Sequence, residues 1–227
     1  MRSVANGNVE LTLAIPGEGV EFRELGGVAY FVKGAIDRTA AAVILLILAL
    51  PMAVISVLVK LSSPGPVLVR QVRVGRFGRP FTFYKFRSMR QDAEQIRDEL
   101  ETDNNHDTPL IFKIRRDPRI TRFGGFMRRT SLDELPNLFN VLRGEMALVG
   151  PRPPLPREVA HYEARHMQRL AATPGITGLW QIRGRSELGF DEMVTLDLEY
   201  IDRWSLWLDV AILLQTPFAV ANGRGAW

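Results

Sequence analysis

A run of 21 residues without a formal charge, residues 39–59, constrains the fold of this chain more than any other feature. Its sequence is TAAAVILLILALPMAVISVLV. At a rise of 1.5 Å per residue, a straight helix of this length reaches about 30 Å, which is the thickness of a bilayer core. The run therefore predicts a helix that enters a membrane.

Two features of the run argue against a simple span. Pro51 lies past its middle, and a proline inside a helix costs roughly 3 kcal/mol unless the site tolerates a kink. Basic residues, which favour the cytoplasmic side, flank the run at both ends. They are Lys33 and Arg38 before it and Lys60, Arg70, Arg73, Arg76 and Arg79 after it. A bent, re-entrant helix satisfies both features, and a kinked spanning helix remains the alternative.

The composition of the whole chain is that of a folded protein. Its 227 residues are 46% hydrophobic and 24% charged, which excludes a wholly disordered chain and a bundle of many spans. The absence of cysteine excludes disulfides, thiolate metal sites and cysteine nucleophiles. The net charge of +4 leaves nucleic acid, nucleotide and anionic lipid open as partners.

Local patterns predict a mixed, mostly helical domain after the apolar run. Runs rich in β-forming residues at 67–74 and 81–86, on either side of the sequence GRFG, predict a β-hairpin, and alternation at 9–15 predicts a further strand. Helices are predicted over 92–101, 132–143, about 158–171 and 190–204. Residues 204–218 contain two tryptophans and one Asp among apolar residues, which suits a helix in the membrane interface or, equally, a core helix of the domain.

The densest basic stretch, residues 113–129, has seven bases in seventeen residues with Phe123 and Phe126 between them. Such a stretch suits a pyrophosphate, a phospholipid surface or a nucleic-acid backbone. A solvated basic face is the simpler interpretation.

Residues 131–144, SLDELPNLFNVLRG, predict a short helix with well-formed ends. Ser131 and Glu134 have the spacing of a capping box, and Gly144 suits the position after the helix. Leu135, Leu138, Phe139 and Leu142 would form its apolar face. The adjacent carboxylates of Asp133 and Glu134, near Arg128 and Arg129, alternatively suit a nucleophile or a metal ligand.

Further basic residues are weaker candidates for phosphate contacts. Lys85 and Arg87 are two residues apart at the end of a predicted strand, so they would lie on the same face of it. Arg152 lies in the stiff sequence GPRPP. Each is also compatible with an ordinary surface position.

Three motifs, taken together, identify a resemblance. KFRSM (85–89), SLDELPNLFNVLRGEMALVGPRPPLP (131–156) and PGITGLWQIRGRS (174–186) follow a proline-containing apolar helix. In this order they resemble the bacterial sugar transferase family, the monotopic polyprenyl-phosphate phosphoglycosyl transferases. The resemblance covers about residues 30–227, and three long motifs in register are highly specific.

The resemblance implies transfer of a sugar-1-phosphate from a UDP-sugar to undecaprenyl phosphate, with release of UMP, at the start of exopolysaccharide, capsule or O-antigen assembly. It implies that Asp133 is a nucleophile that forms a phosphosugar-aspartate intermediate and contacts Mg²⁺, and that Glu134 assists. Lys85, Arg87, Arg128 and Arg152 would hold phosphate groups, and Pro51 would make the membrane helix re-entrant.

The expected fold is therefore α+β and mostly helical, with a re-entrant membrane segment, amphipathic interfacial helices and a small cytoplasmic catalytic domain containing a β-hairpin. The expected divisions are an extension (1–30), the membrane helix broken at Pro51 (31–61), the catalytic domain (62–203) and an interfacial helix and tail (204–227). The resemblance places the chain at the bacterial inner membrane with membrane lipid as a partner. It leaves self-association and contact with downstream glycosyltransferases open.

Two rival functions follow from the residues. A non-catalytic, membrane-anchored partner in glycan assembly would keep this fold. A membrane-tethered nucleic-acid binder would use residues 113–129 and would show binding that falls steeply with salt; the sugar transferase resemblance instead predicts no nucleic-acid partner.

Overall fold

The computed structural model of the protein describes residue 22 and residues 25–93, 95–96, 100, 114, 117–184 and 187–222. The predicted strand at 9–15 and half of the predicted helix at 92–101 lie outside the described residues.

The described residues form eight α-helices and four short strands, in agreement with the predicted mostly helical α+β class. The larger elements are α1 (Gly27–Ser62), β1 (Leu68–Val74), β2 (Pro80–Phe86), α2 (Arg122–Arg129), α3 (Leu138–Arg143), α7 (Phe190–Arg203) and α8 (Leu206–Ala221). The smaller ones are β3 (Ala147–Val149), α4 (Pro156–Val159), α5 (Ala164–Met167), β4 (Gly175–Thr177) and α6 (Leu179–Arg183). Short 3₁₀ helices occur at Arg76–Gly78, Leu132–Asn137 and Gln168–Ala171.

Helix α1 contains the charge-free run and lies against the rest of the molecule along one face. Buried residues recur on that face from Lys33 and Asp37 through Ala41 to Ile55 and Val59. The opposite face is apolar and exposed. The most hydrophobic 18-residue window of α1 has a mean hydropathy of 3.0, and only 11% of it is buried, so α1 is long and apolar enough to cross a membrane.

The helix continues through Pro51 as one element. Every residue is helical at the predicted break, which would divide the helix into two arms. A proline in this position removes one backbone hydrogen bond of the preceding turn, which a long helix with a packed inner face can tolerate. The division into two separate arms at Pro51 is not seen. The re-entrant path through a bilayer stays a prediction.

A buried ionic cluster joins α1 to α8. The Lys33 ammonium lies 2.7 Å from an Asp209 carboxylate oxygen and 3.0 Å from Asp37, and the side chains are 3–9% exposed. The Tyr200 hydroxyl lies 2.8 Å from Asp209, and the Trp204 indole N–H donates to it at 3.3 Å. Because each charge has a partner, this cluster holds two otherwise apolar helices side by side.

The outer face of α8 is apolar. Trp207, Leu214 and Phe218 are exposed, whereas Asp209 and Ile212 face the protein. The amphipathic character of this segment and its position in a membrane interface stay predictions.

The predicted hairpin is confirmed. Strands β1 and β2 pair antiparallel from Leu68 opposite Phe86 to Val74 opposite Pro80. The sequence patterns missed the second sheet, in which β3 and β4 pair in parallel, and they missed α2. The predicted helix over 190–204 is confirmed as α7, whereas the one predicted over 158–171 is divided into α4, α5 and a 3₁₀ helix.

Replacing Lys33 with Met should destabilise the fold by about 3–5 kcal/mol, because Asp37 and Asp209 would remain buried without their shared cation. The measurement is urea unfolding of detergent-solubilised protein followed by tryptophan fluorescence. Lys60→Met is the matched control, since Lys60 is exposed near the other end of α1 and donates only to the Gly65 carbonyl at 3.2 Å. Equal losses in the two variants would contradict the structural role of the cluster.

Candidate active site

A cavity of about 450 Å³ lies where β2, the Leu132–Asn137 segment, the 150–154 loop, α6 and α8 meet. Five of the six predicted site residues line it: Lys85, Arg128, Asp133, Glu134 and Arg152. Its other wall is apolar and includes Ile44 of α1 and Leu213 and Val220 of α8. The cavity thus joins a charged region to the space between the two apolar helices.

The carboxylates lie on a 3₁₀ helix rather than at the start of an α-helix, so the predicted capping box is wrong. Ser131 has a left-handed backbone, with φ of 56°, and its side chain makes no capping hydrogen bond. An N-cap residue needs an extended backbone for its side chain to reach the next turn. Instead, the Glu134 N–H donates to the Ser131 carbonyl at 3.3 Å.

The same local geometry changes which side chains are buried. Leu138 is buried as predicted, but Phe139 and Leu142 are 45% and 42% exposed, so the predicted apolar face is wrong at these positions. A 3₁₀ turn advances three residues rather than 3.6, which shifts the phase of everything that follows it. Gly144 ends α3 with φ of 78°, in agreement with its predicted role.

The cations around the carboxylates are held by neighbouring residues. The Arg128 Nε donates to the Ser88 hydroxyl at 3.1 Å. Arg73, which is buried on β1, donates to the Pro153 carbonyl at 2.9 Å and so holds the loop that contains Arg152. The Val74 N–H binds the next carbonyl of that loop, Pro154, at 2.9 Å.

Two glycines let the GPRPP loop and the PGITG loop touch through their backbones. The Gly150 N–H donates to the Thr177 carbonyl at 2.9 Å, and the Gly175 N–H donates to the Pro151 carbonyl at 2.9 Å. A Cβ on Gly150 or Gly175 would overlap the other loop's backbone. These contacts place the second and third sequence motifs on the same side of the cavity.

Burial and Glu134 together raise the pKa of Asp133 to about 6, although Lys85 and Arg128 act in the opposite direction. The Asp133 side chain is 8% exposed. Within the described part of the chain, no cation lies within 4 Å of either carboxylate of the pair. Asp133 is therefore a carboxylate that is surrounded by positive charge but not neutralised by an ion pair.

The basic residues at the cavity repel one another. Burial, Arg128 and Arg73 lower the pKa of Lys85 to about 8, and burial with Arg152 lowers the pKa of Arg73 to about 10. An anionic ligand would relieve this repulsion, because each added negative charge stabilises the protonated forms. The site is therefore suited to a ligand that carries several negative charges.

Arg87 lies outside this cavity. Its Nη2 donates to the Ser63 carbonyl at 2.6 Å and to the Val59 carbonyl at 3.3 Å, at the end of α1. Strand β2 ends at Phe86, so the alternation that puts Lys85 into the cavity does not extend to Arg87. Arg87 thus contacts the carboxyl end of α1, and its predicted contact with phosphate stays a prediction.

The sequence analysis did not identify several lining residues, among them Arg73, Asp117, Arg119, Trp180, Gln181 and Thr216. The hairpin register could have revealed Arg73, since it pairs with Phe81 and so shares a face with Lys85. The rest come from distant segments, and no local pattern brings them together.

The described part of the basic stretch 113–129 does not form a single exposed strip. Arg119 pairs with Asp117 at 2.7 Å, and Arg128 faces the cavity. Lys113, Arg115 and Arg116 lie outside the described residues. Arg122 and Arg129 are exposed, and the predicted absence of a nucleic-acid partner stays a prediction.

Residues 28–223 match the family model for bacterial sugar transferases. The chain therefore belongs to the bacterial sugar transferase family.

Three relatives illustrate the similarity. The chain is 54% identical over 163 residues to the galactosyl transferase CpsE of Streptococcus agalactiae, covering 71% of the chain and 36% of that protein. It is 44% identical over 208 residues to the UDP-glucose:undecaprenyl-phosphate glucose-1-phosphate transferase of Xanthomonas campestris, covering 87% and 41%. It is 38% identical over 216 residues to the exopolysaccharide production protein ExoY of Rhizobium meliloti, covering 94% of both chains. The chain thus spans well under half of the first two relatives and nearly all of the third.

Replacing Asp133 with Asn should stabilise the fold at pH 7 by up to about 3 kcal/mol, since a pKa raised by about two units is worth that much. The sign follows from the raised pKa: between about pH 4 and 6 the unfolded chain loses the proton that the folded chain keeps, so stability falls as pH rises across this window. The measurement is thermal unfolding at pH 5 and pH 7.5. Glu187→Gln, at an exposed position, is the control and should have the stability of the wild type. If the wild type loses no stability relative to Asp133→Asn between these pH values, the Asp133 pKa is not raised.

Proposed function

We propose that this protein is a phosphoglycosyl transferase that moves a sugar-1-phosphate from a UDP-sugar to undecaprenyl phosphate and releases UMP. The observation that carries the proposal is the cavity itself. It combines a carboxylate pair, several cations and an opening between two apolar helices. These are the features that a reaction between a soluble diphosphate and a lipid phosphate requires.

The first step uses the Asp133 carboxylate as the nucleophile. It attacks the phosphorus that bears the sugar, the bond to the UMP oxygen breaks, and a sugar phosphate remains on Asp133. Lys85, Arg128 and Arg152 would pair with the phosphate oxygens, whose charge is redistributed as the bond breaks. Asp133 is buried among cations and forms no ion pair with any residue that the structure describes, so its carboxylate could form the new bond.

The second step transfers the sugar phosphate to the lipid. An oxygen of undecaprenyl phosphate attacks the same phosphorus, the Asp133 carboxylate leaves, and a diphosphate-linked sugar lipid forms. One phosphoanhydride has then been exchanged for another, so the reaction needs little net driving force. Glu134, next to the nucleophile, raises its pKa and so strengthens attack in the first step, whereas Lys85 and Arg128 act in the opposite direction and would stabilise the carboxylate as it leaves in the second.

The apolar wall of the cavity supports a lipid acceptor. Ile44 of α1 and Leu213 and Val220 of α8 line it, and the outer faces of both helices are exposed and apolar. Each CH₂ buried in an apolar environment is worth about 0.8 kcal/mol, so a long isoprenoid chain stays in the bilayer. We place α1 and α8 in the membrane, with α1 re-entrant and the cavity at headgroup depth on the cytoplasmic face of the bacterial inner membrane.

The residues present are compatible with Mg²⁺ as a cofactor bound together with the substrate. The described residues contain no group of three or more His, Cys, Asp or Glu side chains that could hold a metal alone. Magnesium in phosphoryl-transfer sites takes one or two carboxylates and completes its shell with phosphates and water. Asp133, with Glu134 beside it, would hold the ion, which would offset the negative charge of the diphosphate.

The proposed activity can be tested by UMP release from protein in nanodiscs with undecaprenyl phosphate, Mg²⁺ and a panel of UDP-sugars. Asp133→Asn should lower the rate by at least about a thousandfold, because the nucleophile is lost. Glu187→Gln should retain the wild-type rate. If folded wild-type protein releases no UMP with any of the UDP-sugars, the non-catalytic partner is favoured. Equal rates in the wild type and Asp133→Asn would exclude the covalent step.

The pH profile of UMP release should be bell-shaped. The rate should rise through about pH 6 as Asp133 ionises and fall through about pH 8 as Lys85 loses its proton. Lys85→Arg should move the falling limb above pH 9, because a guanidinium keeps its charge there. Lys60→Arg is the control, and a falling limb that stays near pH 8 in Lys85→Arg would rule out Lys85 as the titrating group.

A further inference from the structure

A second cavity, of about 540 Å³, lies on another side of α1, between its first third, the hairpin turn and the end of α3. It shares no lining residue with the active-site cavity. Five cations line it, against the two carboxylates of Asp37 and Glu145. The cations are Lys33, Arg38, Arg76, Arg79 and Arg143.

Two of these cations are already used by the fold. Lys33 pairs with Asp37 and Asp209. Arg76 donates to the Ala171 carbonyl at 2.9 Å and lies over the rings of Tyr30 and Phe77 at 4.6 and 4.5 Å. The carboxylate of Glu145 accepts from the Asn140 amide at 2.7 Å.

The remaining three guanidinium groups are available to a ligand. Arg38, Arg79 and Arg143 are exposed, and none has a carboxylate within 4 Å among the described residues. Arg38 donates only to the Gly34 carbonyl of its own helix, and Arg143 donates to the Tyr84 hydroxyl. Three guanidiniums around one concavity favour a phosphate, whose oxygens match the planar fork of donors.

The mouth of this cavity adjoins an apolar surface. Phe31 lines the cavity and is 78% exposed, and Val28, one turn earlier on α1, is 81% exposed. A soluble anion would leave these side chains in water. A molecule with a phosphate next to alkyl chains would satisfy both the guanidiniums and the apolar surface.

We propose that this second cavity binds the headgroup phosphate of a membrane phospholipid, with its acyl chains along α1 near Val28 and Phe31. Binding there fixes the depth of the first third of α1 at the headgroup layer. The site is separate from the proposed transfer reaction and does not depend on it.

The test is native mass spectrometry of the full chain in detergent with dioleoylphosphatidylglycerol. The variant R38Q/R79Q/R143Q should bind this lipid at least about tenfold more weakly, since each arginine near an anionic lipid contributes about fivefold. The matched control R70Q/R165Q/R203Q removes three exposed arginines that do not line the cavity, and it should stay within about twofold of wild type. Equal weakening in both variants, or none in the first, would overturn the site.

Two further probes identify the source of the phosphate. Dioleoylglycerol, which lacks phosphate, should bind at least about tenfold more weakly than the phospholipid. Glycerophosphoglycerol, which lacks acyl chains, should not displace the lipid at equal concentration; displacement would overturn a lipid ligand in favour of a soluble phosphate. If the triple variant does not fold, as judged by its thermal unfolding, R79Q alone decides: a loss of about fivefold supports the site, and an unchanged affinity overturns it.

Discussion

The rest of the structure depends on the ionic cluster in which Lys33 lies between Asp37 and Asp209. Separating these charges within an apolar environment would be costly, so the cluster sets how α1 and α8 lie against each other. The same cluster reaches the catalytic side of the molecule. The Tyr200 hydroxyl that contacts Asp209 also lies 3.0 Å from the carbonyl of Val149, the last residue of β3. Arg152 follows three residues later, so the junction of the two apolar helices is connected to the loop whose arginine lines the cavity.

The positive charges of the candidate active site lie around Asp133 and close to one another. Cations surround Asp133, yet those of the described residues stay beyond ion-pair distance. Burial, together with repulsion from Arg128 and Arg73, lowers the pKa of Lys85. An ion pair between a cation and Asp133 would stabilise the site without ligand and, in the proposed mechanism, would make the carboxylate a weaker nucleophile. Repulsion among the cations instead favours a ligand with several negative charges. A bound diphosphate would relieve this repulsion, which is already present in the free protein.

Local sequence patterns predicted those parts of the fold that local forces determine. The hairpin, α7 and the left-handed Gly144 follow from alternation, helical periodicity and the freedom of glycine. The patterns failed where tertiary contacts decide the outcome. Strands β3 and β4 have three residues each, too few for a periodic signal, and they exist because Gly150 and Gly175 let two distant loops meet. Ser131 is left-handed despite its favourable capping spacing, and Arg87 turns to the end of α1 because β2 has ended one residue before it.

Helix α1 is a structural part of the domain as well as an apolar helix long enough to cross a membrane. Ala41 belongs to the largest hydrophobic cluster, and Ile55 and Val59 pack with Phe86 and Met127 in another. Phe86 directly follows Lys85, and Met127 directly precedes Arg128, so the packing of α1 positions two of the cations that face Asp133. The predicted division near residue 61 therefore falls between α1 and the domain residues that pack with it in these two clusters. The contacts that hold α1 against the domain therefore also fix the positions of these cations, and under the proposed function they would link the lipid-facing helix to the site of transfer.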